Sequence, residues 1–287
     1  MHVTNRFRRH VTGVIVFLTI VSITQAKYGG GSGTADEPYQ IATAADLIAL
    51  GESPEDYDKH FILTADIDLD PNLPGRKVFD KAVIARETPF TGVFDGNGHW
   101  LYSYRGADSL FRYVRGSSAQ VKNLRLFKSD VEYHGIGTGS LLVGTLTYGT
   151  ISNCHVQDCK LSSRSLGGAG GLVGSNDGTI TDCHISGQII GTRHDVGGLV
   201  AYNGEDATIT RCSFSGSVGG GGGGSRLTGG LVGFNFGGIS FCYSTGLVWG
   251  SGAAGLVGGN GGVVYSCYSI SSVSGAGGLL RRRVGRR

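Results

Sequence analysis

The chain has 287 residues, 52 of them glycine, with 16% charged residues and a formal net charge of +3. Three of the 25 basic residues lie in the first 26 positions and five in the last seven, so the body between carries 17 bases against 22 acids, a net charge of −5. A body of that charge lacks the basic stripe by which a nucleic-acid binder neutralises phosphates.

Residues 1–26 predict a secretory signal peptide. Arg6, Arg8 and Arg9 open it, residues 11–23 form an apolar run of 13, and Thr24-Gln25-Ala26 offers a cleavage point after Ala26. The run is shorter than the roughly 20 residues that cross a bilayer, so the mature chain is expected to be exported with no membrane span left. Sixteen of the 22 acids fall in residues 27–140 and six in residues 141–280. That gradient predicts a leader and cap at 27–89, repetitive sheet at 90–280 and a basic tail at 281–287, in one continuous body.

After a glycine-rich leader at residues 28–33, residues 38–41 predict a short strand. Thr43 is placed to N-cap a helix over residues 44–50, with Asp46 at the capping-box position and Gly51 as the stop. Such a helix would shield the open end of the first coil from water. Residues 61–70 alternate, with Leu63, Ala65, Ile67 and Leu69 on one face and Thr64, Asp66, Asp68 and Asp70 on the other. The three carboxylates Asp66, Asp68 and Asp70 make a weak calcium candidate, because oxygen ligands suit that ion while the loop pattern of a dedicated site is missing. Solvated or backbone-bonded aspartates are the competing reading, and no other cofactor is expected. In residues 90–99, Asp95-Gly96 and Asn97-Gly98 predict tight turns at the entry to the stack.

The second half repeats. Gly171-Leu172-Val173, Gly198-Leu199-Val200, Gly230-Leu231-Val232 and Gly255-Leu256-Val257 each lead to a cysteine, and Cys154, Cys183, Cys212, Cys242 and Cys267 are spaced by 29, 29, 30 and 25 residues. A unit of that size cannot bury its own apolar face but can do so against a neighbour. The period therefore predicts an all-β, parallel β-solenoid, right-handed by the general preference of parallel crossovers. Leu124 lies 30 residues before Cys154 and fills the same slot, so that slot wants a buried small hydrophobe and not a zinc-binding thiolate. Equivalent side chains in such a stack sit about 4.8 Å apart, wider than the Cβ separation of a disulfide at about 3.8 Å, so a reduced ladder is expected. Cys159 is out of register and is expected to be exposed or paired with Cys154. Asn176, Asn203, Asn235 and Asn260, each three residues after its valine, predict a second ladder bonded from coil to coil. His155 and His184 follow ladder cysteines and are expected to stack on the outer face, as an exposed pair or, less favoured, as ligands of a transition metal. Residues 281–287 leave no room for another coil, and everything from Arg281 onward is expected to be poorly ordered.

These phrases, with residues 177–187 and 237–246, resemble the GLUG-motif repeats of bacterial surface and secreted proteins, and residues 38–50, 61–70 and 90–99 resemble the region that often precedes them. The likeness spans residues 38–280 and implies a parallel β-solenoid. Departures are Leu146 where a corner asparagine is due, Ala201 in place of a glycine, and the six glycines of residues 219–224. Some proteins with such repeats are peptidases, but neither HExxH nor GxSxG occurs in this chain. The expected function is a non-catalytic extracellular or cell-surface scaffold or adhesion module, secreted or surface-bound on a bacterium. Its expected partners are an envelope polysaccharide, a surface protein, or a second copy meeting it end to end. The alternative is a polysaccharide lyase or glycoside hydrolase, although no carboxylates recur in the repeats as an obvious pair at the spacing that hydrolysis needs. No catalytic residue is assigned.

Overall fold

The computed structural model describes residues 27–164, 166–220, 227–250, 252–275 and the backbone of 280–282. The signal peptide expected at 1–26, part of the six-glycine run and the tail beyond Arg282 lie outside the described residues. Parallel strands wind into a β-solenoid of about seven turns with one α-helix among the described residues, near its start. Each complete coil visits three sheets in order. Ala169–Gly170 belongs to a narrow sheet of two-residue strands, Val173–Thr181 to the first long sheet and His184–Gly191 to the second, before Val196–Gly197 returns to the narrow one.

The GLV phrase is the corner between the narrow sheet and the first long sheet. Val173, Val200, Val232 and Val257 pair in register, and these valines and the leucines before them are fully buried. Neighbouring coils pass so closely there that a Cβ on Gly198 or Gly230 would collide with the carbonyl of the next coil's glycine, Gly230 or Gly255. Glycine is thus required by the approach of two backbones.

Stacking begins earlier than the expected boundary at residue 90. Tyr39–Ile41 pairs with His60–Leu63, which pairs with Val93–Asp95, so leader and repeats share one sheet. The helix Ala44–Gly51 closes this end. Thr43 Oγ1 accepts the Asp46 amide at 3.2 Å while Asp46 Oδ2 accepts the Thr43 amide at 2.9 Å, and Ala44, Leu47 and Leu50 are buried. Gly51 is the last residue of the helix, with Glu52 as its C-cap, and its missing Cβ makes room for the Val83 carbonyl. The alternation of residues 61–70 does not form one strand, because His60–Leu63 belongs to the first long sheet and Ile67–Asp68 to the second. Alternation survived because both strands keep the same inward side across the corner.

A row of left-handed residues marks the corner between the two long sheets. Asn123, Asn153, Asp182, Arg211, Phe241 and Ser266 have φ between 50° and 55°, each immediately before Leu124 or a ladder cysteine. At the far end, Leu280–Arg282 pairs with Val257–Asn260 as a further strand. This corrects the expectation that order ends before Arg281, since an open strand edge offers backbone partners whatever side chains follow.

Candidate binding face

Parallel, in-register stacking converts each sequence position into a column. On the second long sheet the outward column is Trp100, Arg125, His155, His184, Ser213, Tyr243 and Tyr268, paired rung by rung. Leu101, Leu126, Val156, Ile185 and Phe214 point into the core between this column and the next. Arg125 lies over the Trp100 ring at 5.5 Å, the His155 and His184 rings are 5.3 Å apart, and Tyr243 stacks on Tyr268 at 5.2 Å with planes 7° apart. His184 Nδ1 and Ser213 Oγ are hydrogen-bonded at 2.7 Å. Between Trp100 and Tyr243 the flank forms an open groove of about 380 Å³. Burial, followed by the neighbouring His184 and Arg125 charges, holds His155 below its ordinary range.

The three candidate calcium ligands are not gathered around one point. Asp66 sits at the corner, where its Oδ1 takes the Trp100 amide at 3.0 Å and His99 Nδ1 at 3.0 Å, and its Oδ2 accepts the Tyr102 hydroxyl at 3.3 Å. The Trp100 amide, ahead of His99 and Tyr102, holds the Asp66 carboxyl below its usual range despite some burial. Asp68 Oδ1 accepts the Asp70 amide at 2.9 Å, and Asp70 Oδ1 accepts the Asn72 amide at 3.0 Å. Among the described residues no three His, Cys, Asp or Glu side chains are placed to share a metal ion. Asp66 instead anchors the strand that presents Trp100.

Behind the face the cysteine ladder is free and buried except for half-buried Cys267. Cys212 Sγ accepts the Cys183 amide at 3.4 Å, Cys242 that of Cys212 at 3.3 Å and Cys267 that of Cys242 at 3.3 Å. Each thiol in turn faces the carbonyl two residues back, as Cys183 does that of Thr181 at 3.2 Å. Cys159 is neither exposed nor bonded to Cys154. It repeats the ladder geometry at the next corner, accepting the Ser129 amide at 3.3 Å and facing the Gln157 carbonyl at 3.2 Å. Burial pushes its thiol up to about 11. An extra residue bulges the strand between Val156 and Cys159, and Cys159 pairs with Gly187, not with a ladder cysteine.

Trp100 and Arg125 were not recognised as part of this face. A signal existed, because Arg125 follows Leu124 as His155 follows Cys154 and His184 follows Cys183. On the opposite side, burial and the Asp206 charge raise the Asp177 carboxyl above its ordinary range.

Fold and ladders together define a parallel β-solenoid repeat protein with a polar, aromatic flank. The model of the GLUG motif matches two stretches of this chain, residues 165–190 and 192–219. The chain is 30% identical over 156 residues to halomucin of Haloquadratum walsbyi and 33% identical over 177 residues to a protein of Evansella cellulosilytica described as a Gly-rich membrane protein. The matched regions cover 51% and 52% of this chain but only 2% and 19% of those proteins. Two solved structures share the fold. One is a candidate immunoglobulin A1 protease from Bacteroides ovatus, with TM-score 0.59 and 17% identity over 89% of this chain and 78% of its own. The other is an IgA1 protease, with TM-score 0.53 and 16% identity over 84% of this chain and 21% of its own. Among the described residues no helix is long and apolar enough to cross a membrane.

Proposed function

We propose that the chain is a non-catalytic extracellular or cell-surface scaffold, an adhesion module that presents the Trp100–Tyr268 flank to an envelope polysaccharide or a surface protein. The observation that carries this reading is the in-register column of seven residues, one per rung, exposed or half-buried at every rung but Ser213. Rigid repetition suits a long, shallow contact in which many small interactions add without loss of loop entropy. Similarity to halomucin and to a Gly-rich membrane protein supports a surface location, as does the leader read from residues 1–26.

The test is protease shaving and antibody labelling of intact producing cells, with retention of the purified protein on isolated envelopes. Surface accessibility and retention that falls when Tyr243 and Tyr268 become serine are expected. A protein confined to the cell interior refutes the reading. Incubation with a panel of glycans separates the catalytic alternative, because bond cleavage abolished by Asp177→Asn would make this an enzyme of the lyase or hydrolase type.

A further inference from the structure

We propose that the groove between Trp100 and Tyr243 binds an acidic polysaccharide, a chain of uronate sugars laid along the solenoid axis. The inference rests on the adhesion reading and supplies the chemical class of its ligand.

Charge selects the ligand first. Among the described residues that line the groove, Arg125 alone is permanently charged and none is a carboxylate, and the imidazoles of His155 and His184 occupy the next two rungs. The Asp66 carboxylate beside Trp100 is already engaged by the His99 ring and the Trp100 amide. A guanidinium presents a planar fork of donors that matches a carboxylate. It is held over the Trp100 ring, which limits the freedom it would lose on binding.

The rest of the lining suits a sugar. Ser186 and Ser215 pair as a second outward row beside His184 and Ser213, and Gln157, in the bulge of the preceding coil, also lines the groove, so amide and hydroxyl groups are offered to ring hydroxyls. Trp100 and Tyr243 stand at the two ends of the groove, with Arg125 over one face of Trp100 and Tyr268 stacked on one face of Tyr243, so the ring surface left uncovered is what meets the C–H face of a pyranose. Rungs recur about every 4.8 Å, close to the rise of one residue in an extended pyranose chain, so a periodic ligand meets a periodic surface.

An acidic peptide would share the charge but gains little here. Strand addition needs a free sheet edge, whereas the strands under the groove, from Trp100–Tyr102 to Tyr243–Gly250, are each paired on both sides. The groove therefore offers side chains alone, at sugar spacing.

The experiment is calorimetric titration of the purified protein with oligogalacturonate, beside a neutral β-glucan of equal length. Binding of the uronate chain, weakened by salt, and at least tenfold weaker binding of the glucan are expected. Arg125→Gln should reduce uronate affinity about tenfold or more. Arg115→Gln, the same charge change at an exposed position on the other long sheet, should leave it unchanged. His184 is exposed, so His184→Ala keeps the test open if Arg125→Gln disturbs folding, and a several-fold loss is expected from it. Equal binding of the neutral glucan, equal losses in Arg115→Gln and Arg125→Gln, or no uronate binding overturns the inference. Retention on envelopes without uronate binding would sink this ligand and leave the adhesion reading intact, with a protein partner then indicated. A protein that never reaches the surface would sink the adhesion reading while leaving the groove chemistry to be judged by the titration alone.

Discussion

Replacing Asn203 by leucine should separate an interior ladder residue from a terminal one. Asn176 Nδ2 donates to Asn203 Oδ1, Asn203 Nδ2 to Asn235 Oδ1, and Asn235 Nδ2 to Asn260 Oδ1, each at 2.7 Å. The chain of amides has a direction, and both ends are closed by backbone. Asn176 Oδ1 accepts the Gly178 amide at 3.0 Å, and Asn260 Nδ2 donates to the Gly262 carbonyl at 3.1 Å. Leu146 can precede Asn176 in the column because no amide is left waiting for it. Asn203 is fully buried, and Asn203→Leu strands a donor on Asn176 and an acceptor on Asn235. At about 1–3 kcal/mol per orphaned buried group the loss is about 2–6 kcal/mol. Asn260→Leu leaves Asn235 Nδ2 its bond to the Gly237 carbonyl at 3.1 Å, so the loss there is about 1 kcal/mol. Urea unfolding followed by circular dichroism compares the two midpoints, which stay informative even if the coils do not melt as one unit. Equal midpoints for the two variants, or an Asn203→Leu protein as stable as the parent, would refute the ladder argument.

Native thiol labelling followed by mass spectrometry should modify half-buried Cys267 first and leave Cys154, Cys159, Cys183, Cys212 and Cys242 unmodified until denaturant is added. Early labelling of Cys159, or its recovery in a disulfide with Cys154, would contradict its inward placement. Gly229→Ala puts a Cβ against the Val232 carbonyl and 2.7 Å from the Gly258 amide nitrogen, so it should destabilise by at least the about 1–3 kcal/mol of an overpacked site. Gly98→Ala meets no atom within 4 Å and suffers only its φ of +77°, a cost of about 1–2 kcal/mol. Thermal melts that rank the two the other way would show that the close approach of coils is not what fixes the glycine.

The architecture was legible because a solenoid writes its packing into a period. Each GLV phrase, ladder cysteine and corner asparagine meets its own counterpart one turn later, so spacing along the chain is also contact in space. The capping helix was legible for a local reason, the reciprocal bonds of Thr43 and Asp46. Only the tertiary structure decided where one coil departs from the average. Cys159 proved to occupy a second buried position, opposite Gly187, where it accepts the Ser129 amide, and the turn at residues 64–66 dispersed carboxylates that alternation had aligned. The left-handed corner row was likewise hidden, since Arg211 and Phe241 carry no glycine signal and their amides donate to the Ser240 and Tyr265 carbonyls of the next coil. The binding face was half visible. The two histidines share a repeat offset, but Trp100 and Arg125 stand in degenerate coils, and only backbone register places a tryptophan, a guanidinium, two imidazoles and two tyrosines in a single line.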